Sequence, residues 1–100
     1  MRLCKTDISI LHRVVKNHIS EPFTLRVFGS RLDDSKRGGD LDLLIETKKP
    51  LVALKRADIQ IDLEEKMQLP VDIIFLEDGM KWSPFQQLAY ARSEALKFDD

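Results

Sequence analysis

The sequence predicts a small α+β domain in which helices alternate with the three or four strands of a mixed sheet. Short apolar runs at 24–28, 41–46 and 71–76 are bounded by turn residues and have the length and composition of strands. The segments around them carry apolar residues at helical spacing instead. One hundred residues, 43% of them hydrophobic, suffice for one core. We therefore expect a single domain over residues 1–100 with its helices packed on one face of the sheet.

The first predicted helix covers residues 6–19, because its apolar side chains recur at intervals of three and four. Thr6 or Asp7 would cap its start. Pro22 ends it, since the residue before a proline disfavours helical backbone. The strand at 24–28 follows directly.

The segment 51–68 is predicted to be the second long helix, although Ile59 to Leu63 alternates like a strand. Its apolar residues also fall at intervals of seven and four, and it is rich in helix-forming residues and contains no glycine. A last helix begins at Ser83, which precedes a proline and lies three residues before Gln86. The inner face of this helix is expected to comprise Phe85, Leu88, Ala89 and Leu96.

Two carboxylates open the second strand. Asp40 and Asp42 are two residues apart, so in a strand they project to the same face, whereas Leu41 and Leu43 project into the core. Like charges side by side raise each other's pKa, and a fold gains nothing from them unless a cation lies between them. Mg2+ suits the position, because it is bound by one or two carboxylates together with substrate phosphates. Glu46 shares this face but lies further along the strand, at its rim.

A glycine-serine turn follows the first strand. Gly29 lets the backbone turn sharply and approach a ligand. Ser30 adds a hydroxyl donor and starts a short helical segment, 31–35, whose free backbone N–H groups suit phosphate oxygens. Positive charge in the same loop comes from Arg31, Lys36 and Arg37. A phosphate-binding turn followed by an acid pair indicates a nucleoside triphosphate site.

The pattern of an apolar strand, Gly29-Ser30, about ten residues and Asp40-Leu41-Asp42 resembles the signature of the DNA polymerase β-type nucleotidyltransferases. At this length the chain is similar to the minimal nucleotidyltransferases of bacteria and archaea. The resemblance implies that Gly29, Ser30 and Arg31 bind the triphosphate. It further implies that two Mg2+ ions are bound by Asp40, Asp42 and a third acid on a neighbouring strand, which Asp72 matches. These three aspartates would be both the catalytic and the metal-binding residues.

The resemblance also implies a partner. Minimal nucleotidyltransferases commonly pair with a small helical toxin ribonuclease of the HEPN type, and as antitoxins they attach AMP from ATP to one of its tyrosines. Only one helix is predicted after the third strand, so we expect the acceptor to be another chain. Two alternatives stay open: a non-catalytic antitoxin that neutralises its partner by binding, and a transferase for small molecules. A glycosyltransferase reading of the acid pair fits poorly, because it gives the Gly-Ser turn no role.

Composition excludes several other classes. The formal net charge of −1 gives no reason to expect sequence-specific nucleic-acid binding. No apolar run approaches the length of a membrane span, and the N-terminus lacks the apolar core of a signal peptide. A single cysteine permits no internal disulfide and agrees with a cytoplasmic location. The sequence leaves the oligomeric state open, a homo-oligomer included.

Overall fold

The computed structural model describes residues 4–28 and 41–96. Within these ranges the chain forms helices and strands in the order α1 (Lys5–His18), β1 (Phe23–Phe28), β2 (Leu41–Thr47), α2 (Ala53–Met67), β3 (Val71–Glu77), α3 (Pro84–Ala91) and β4 (Glu94–Ala95). The predicted helix at 51–68 and the three predicted strands are confirmed to within two residues at each end. The helical segment predicted at 31–35 lies outside the described residues.

The four strands form one mixed sheet in the order β3-β2-β1-β4. Strand β1 is antiparallel to both of its neighbours, whereas β2 and β3 run parallel. A parallel pair needs a long crossover connection, and helix α2 supplies it. The predicted α+β class with a small mixed sheet is therefore confirmed.

The two faces of the sheet bury separate clusters of side chains. On one face Leu41, Leu43 and Ile45 of β2 lie in the main core, to which α1 and α2 contribute. On the other face Leu44 and Leu76 are buried with Ala89 of α3. This separation follows from the alternation of side chains along each strand. Buried residues of the main core that come from the two helices are Leu11, Val14, Val15, Ile59 and Leu63.

Helix α3 differs from the sequence-based expectation in two respects. It packs on the face opposite α1 and α2, so the helices do not all share one face. Its buried side is formed around Ala89, while Phe85 and Leu88 are 63% and 50% exposed. Leu96 belongs to the main core on the other side of the sheet, because it follows β4 and not α3. Periodicity finds the apolar positions of a helix, but it does not say which of them the sheet covers.

The first turns of α3 and α1 show how local sequence determines where a helix begins. Helix α3 begins with the predicted capping box, in which the Gln86 backbone N–H donates to Ser83 Oγ at 3.1 Å and the Ser83 N–H donates to Gln86 Oε1 at 2.7 Å. Helix α1 starts earlier than predicted, with Cys4 at the cap position and Asp7 accepting from the Cys4 N–H at 3.3 Å. In the described part of the chain no helix combines the length and apolarity needed to cross a membrane.

Candidate functional site

Asp42 and Asp72 occupy opposed positions on the neighbouring parallel strands β2 and β3. Adjacent strands lie about 4.8 Å apart, and opposed residues of a parallel pair project to the same face. Asp42 is half-buried and Asp72 is exposed. The fold thus brings two carboxylates side by side on the face of the sheet that also carries α3.

The neighbours of these acids fix the direction in which they point. Leu41 and Leu43 are fully buried in the main core, so Asp42 between them must face the other way. Val71 and Ile73 place Asp72 in the same manner on β3. A slip of one residue in either strand would turn its acid into the main core, at the cost of burying an unpaired charge. Core packing therefore determines the alignment of the pair.

The acid pair lies at the end of the sheet where β1 ends and where β2 and β3 begin. Phe28, the last residue of β1, is the antiparallel partner of Asp42 and shares its face. Sequence reasoning missed this neighbour, because nothing in the spacing fixes the register of β1 against β2. The other predicted site residues, Gly29, Ser30, Arg31 and Asp40, lie outside the described residues.

The donor set of the pair fits a hard divalent cation. Carboxylate oxygens are the ligands that Mg2+ prefers, and two of them together with substrate phosphates are a common arrangement for this ion. Within residues 4–28 and 41–96 no three His, Cys, Asp or Glu side chains are grouped so as to hold a metal. A third carboxylate at this site would therefore come from outside these residues, where the sequence predicts Asp40 for this role.

Contacts around Arg26 anchor α3 over the middle of the same face. The Arg26 guanidinium carbon lies 4.3 Å from the centre of the Tyr90 ring, and Arg26 Nε donates to Ser93 Oγ at 2.6 Å. The Tyr90 ring in turn packs 5.1 Å from Trp82, measured between ring centres. Arg26 is opposed to Leu44, two residues along β2 from Asp42. Helix α3 is thus anchored next to the acid pair, and Asp72 stays exposed.

Glu46 lies on the same face, but at the other end of β2. Four residues of strand separate it from Asp42, a distance of about 13 Å. Partial burial raises the pKa of Glu46, and the nearby Asp78 carboxylate raises this pKa further. The two side chains line a shallow cavity of about 190 Å3 together with Pro22, Phe23, Thr24, Thr47 and Lys48. This cavity is remote from Asp42 and Asp72 and takes no part in their site.

Comparison with known proteins gives a family and a fold. The family model described as the nucleotidyltransferase domain matches residues 8–97. A chain in the solved complex of tri-AMPylated Shewanella oneidensis HEPN toxin with MNT antitoxin is similar at a TM-score of 0.73 and 15% identity, over 94% of this chain and 71% of that chain. Another crystal structure from Shewanella oneidensis is similar at a TM-score of 0.70 and 12% identity, over 97% of this chain and 74% of that chain.

Among curated proteins the search finds no match to the sequence. At identities this low, the structural similarity establishes the fold alone. It confirms the polymerase β-type architecture that the family resemblance implies.

Proposed function

The chain belongs to the nucleotidyltransferase domain family, and from this premise we propose that it is an antitoxin that transfers AMP from ATP to a tyrosine of a partner toxin. The observation that carries the proposal is the direct opposition of Asp42 and Asp72 on one face of the sheet. The proposed site is completed by Asp40, with Gly29, Ser30 and Arg31 binding the triphosphate. ATP makes the cytoplasm the natural place for this reaction.

In this proposal Asp40, Asp42 and Asp72 would hold Mg2+, for which the family resemblance implies two ions. When bound, Mg2+ offsets the negative charge of the triphosphate and lowers the pKa of the acceptor hydroxyl. The chain orients the nucleotide so that the acceptor oxygen bonds to the α-phosphorus while the bond from that phosphorus to the bridging oxygen breaks. Pyrophosphate leaves with the electron pair of that bond, and the Asp72 carboxylate accepts the hydroxyl proton.

The choice of a protein acceptor draws on the structural neighbours. One of them is found in a complex whose HEPN toxin carries three AMP groups. A HEPN-type toxin is a small helical protein, and a tyrosine on it would supply the attacking hydroxyl. This chain would then need no second domain to bind the acceptor, because the partner brings its own surface.

The same neighbour supports a second candidate, an antitoxin that neutralises by binding alone, since the toxin and the antitoxin form a complex there. The acid pair argues for catalysis, because two adjacent carboxylates repel each other unless a bound cation offsets their charge. Asp42→Ala distinguishes the two functions. A chain that acts by binding alone still neutralises its partner after this substitution, whereas a transferase does not.

The test is a transfer assay with the protein that the adjacent gene encodes. That protein is incubated with this chain, ATP and Mg2+, and its intact mass is measured. We expect the mass to rise by whole adenylyl groups with the wild-type chain and to stay constant with Asp42→Asn. Asp58→Asn, on an exposed part of α2, is the matched control and should transfer normally. Transfer by Asp42→Asn at the wild-type rate would overturn the proposal.

A further inference from the structure

In the described part of the chain, large exposed hydrophobic side chains fall on two surfaces. The α3 patch consists of Phe85 and Leu88, which are three residues apart and therefore share one side of the helix. The α2 patch consists of Val52, Leu54 and Ile61, which are 70%, 73% and 62% exposed. Exposed apolar side chains that cluster in this way mark surfaces for a partner more often than isolated ones do.

Only the α3 patch lies on the same side of the sheet as the acid pair. Ala89 of α3 packs on Leu44, and Leu44 shares a face with Asp42, two residues before it. Helix α2 instead buries Ile59 and Leu63 in the main core on the opposite face. A protein that presents a hydroxyl to Asp42 can therefore touch α3 at the same time, whereas helix α2 lies on the opposite face of the sheet.

Asp42 lies close to the place where α3 packs on the sheet, so one protein surface can cover both. Arg26, which anchors α3, is opposed to Leu44, and the next outward-facing position on β2 is Asp42. Two residues of strand correspond to about 7 Å. An ordinary protein interface covers about 800 Å2 on each partner, so it can extend from Asp42 over Leu44 and the helix that packs on Leu44.

Charge indicates the kind of surface that fits. The charged residues nearest to the α3 patch along the chain are Lys81 and Arg92, both exposed, and the next charged residues outward are the acidic Asp78 and Glu94. The α3 patch thus has an apolar centre with positive charge on both sides along the chain. The α2 patch differs, because four of the seven charged residues of that helix are acidic, and one of them, Asp58, lies between Leu54 and Ile61. The complementary partner for α3 has an apolar contact bordered by acidic side chains.

We propose that the α3 patch is the docking surface for the protein acceptor, whose contact region is apolar with an acidic border. This inference rests on the proposed transfer to a protein and adds where that protein binds. Docking on α3 positions the acceptor hydroxyl over the neighbouring acid pair, so the patch determines which protein is modified and takes no part in binding ATP.

The test compares Phe85→Glu and Leu88→Glu with the matched controls Leu54→Glu and Ile61→Glu. All four place a carboxylate at an exposed position of a helix, and circular dichroism checks that each variant is folded. The acceptor is the protein encoded by the adjacent gene, and its KM, the kcat and its affinity for the chain are measured. The affinity of each variant for a non-hydrolysable ATP analogue with Mg2+ is measured separately by calorimetry.

We expect the two α3 variants to raise the acceptor KM, and to weaken acceptor affinity, about tenfold or more. Their kcat and their affinity for the nucleotide should match the wild type, as should every value for the α2 controls. Unchanged acceptor KM and affinity in both α3 variants would overturn the docking surface while leaving the proposed transfer intact. Equal losses in the α2 controls would overturn it as well. A wild-type chain that neither modifies nor binds the acceptor would refute the proposed function itself, and the docking surface with it.

Discussion

Asp72 is the member of the acid pair that is easiest to alter without disturbing the fold. Its side chain is exposed, and the packing of β3 next to it is provided by the buried Val71. Asp72→Asn keeps the shape of the side chain and removes its charge and its ability to accept a proton. We expect transfer to fall on the order of 100-fold or more, the usual loss for a missing proton acceptor. The rate is measured with the acceptor protein at saturating ATP and Mg2+.

The melting temperature serves as the control for this substitution. Removing one of two adjacent like charges should leave the stability of Asp72→Asn equal to that of the wild type or slightly above it. A variant that melts normally and still transfers at the wild-type rate would show that Asp72 has no role in the reaction.

Asp62 gives a pH-dependent prediction that is independent of the site. Its carboxylate accepts a hydrogen bond from His18 at 3.0 Å, which links α2 to α1 and lowers the pKa of Asp62. A lowered pKa means that the Asp62 carboxyl group binds its proton more weakly in the folded state than in the unfolded state. The contact therefore stabilises the fold above about pH 4, and that stability is lost as the pH falls further.

Asp62→Asn should therefore lower the free energy of unfolding by about 0.5–1.5 kcal/mol between pH 5 and 7, a range that allows for the partial exposure of both side chains. The difference from the wild type should shrink towards pH 3. Urea unfolding at several pH values measures it, with Asp58→Asn as the control on the same helix. A difference that stays constant with pH would contradict the assigned contact.

For single residues, the sequence predicts the direction in which a side chain points better than it predicts which residues of other strands lie beside that side chain. Strand alternation alone predicts that Asp42 projects from the face of the sheet opposite to that of Leu41 and Leu43, and the structure agrees. The opposition of Asp42 to Asp72 depends on the register of two strands joined through α2, which no local spacing determines. For this reason Asp72 is predicted as a site residue from the family resemblance, and Phe28 is not predicted as one.

Among the elements, α3 links the fold to the proposed docking surface, and its start depends on a capping box. In Ser83→Ala the Gln86 N–H loses its acceptor, which should destabilise the protein by about 1 kcal/mol. Hydrogen exchange of residues 84–91 should accelerate more than exchange in α1 or α2. Ser20→Ala, at an exposed position outside the helices, is the control. Equal exchange rates in Ser83→Ala and the wild type would show that the cap does not hold the helix.

Element boundaries follow from the sequence wherever a local signal exists. Ser83-Pro84 and the apolar runs of β2 and β3 are examples, since capping and turn residues act over a few positions. Strand β4 has only two residues and pairs at Arg26 and Val27, so its existence depends on where α3 ends and not on its own composition. The buried side of α3 is likewise decided by the sheet beneath it.

For the whole molecule, the sheet separates a large core on one face from a small cluster under α3 on the other. Leu43 and Leu44 are adjacent, both are fully buried, and they point into different clusters. If the sheet couples the clusters into one cooperative unit, Leu43→Ala and Leu44→Ala should each cost about 2–5 kcal/mol. Both should still unfold in a single transition.

The single tryptophan makes this measurable. Trp82 packs in the small cluster, so its fluorescence reports on that side of the sheet, while circular dichroism follows the helices of the main core. Coincident urea transitions from the two signals are expected in both variants. A fluorescence change in Leu44→Ala at lower urea than the dichroism change would show instead that α3 and its cluster unfold separately.

The division of the sheet also assigns the two faces different tasks. The face under α1 and α2 is buried and supplies stability. The face under α3 carries the acid pair, the α3 patch and the contacts of Arg26, so a substrate can be bound there without disturbing the main core. All proposed functional changes should accordingly fall on one face, and stability changes mainly on the other.

The most direct test of the account is calorimetric titration of a non-hydrolysable ATP analogue, in the presence of Mg2+, into the wild-type chain and into Asp42→Asn. We predict that the wild type binds the analogue with a strict requirement for Mg2+, and that Asp42→Asn binds it about tenfold or more weakly while its fold is unchanged. Mg2+-independent binding, or the same affinity in both proteins, would contradict the claim that these carboxylates form a nucleotide site.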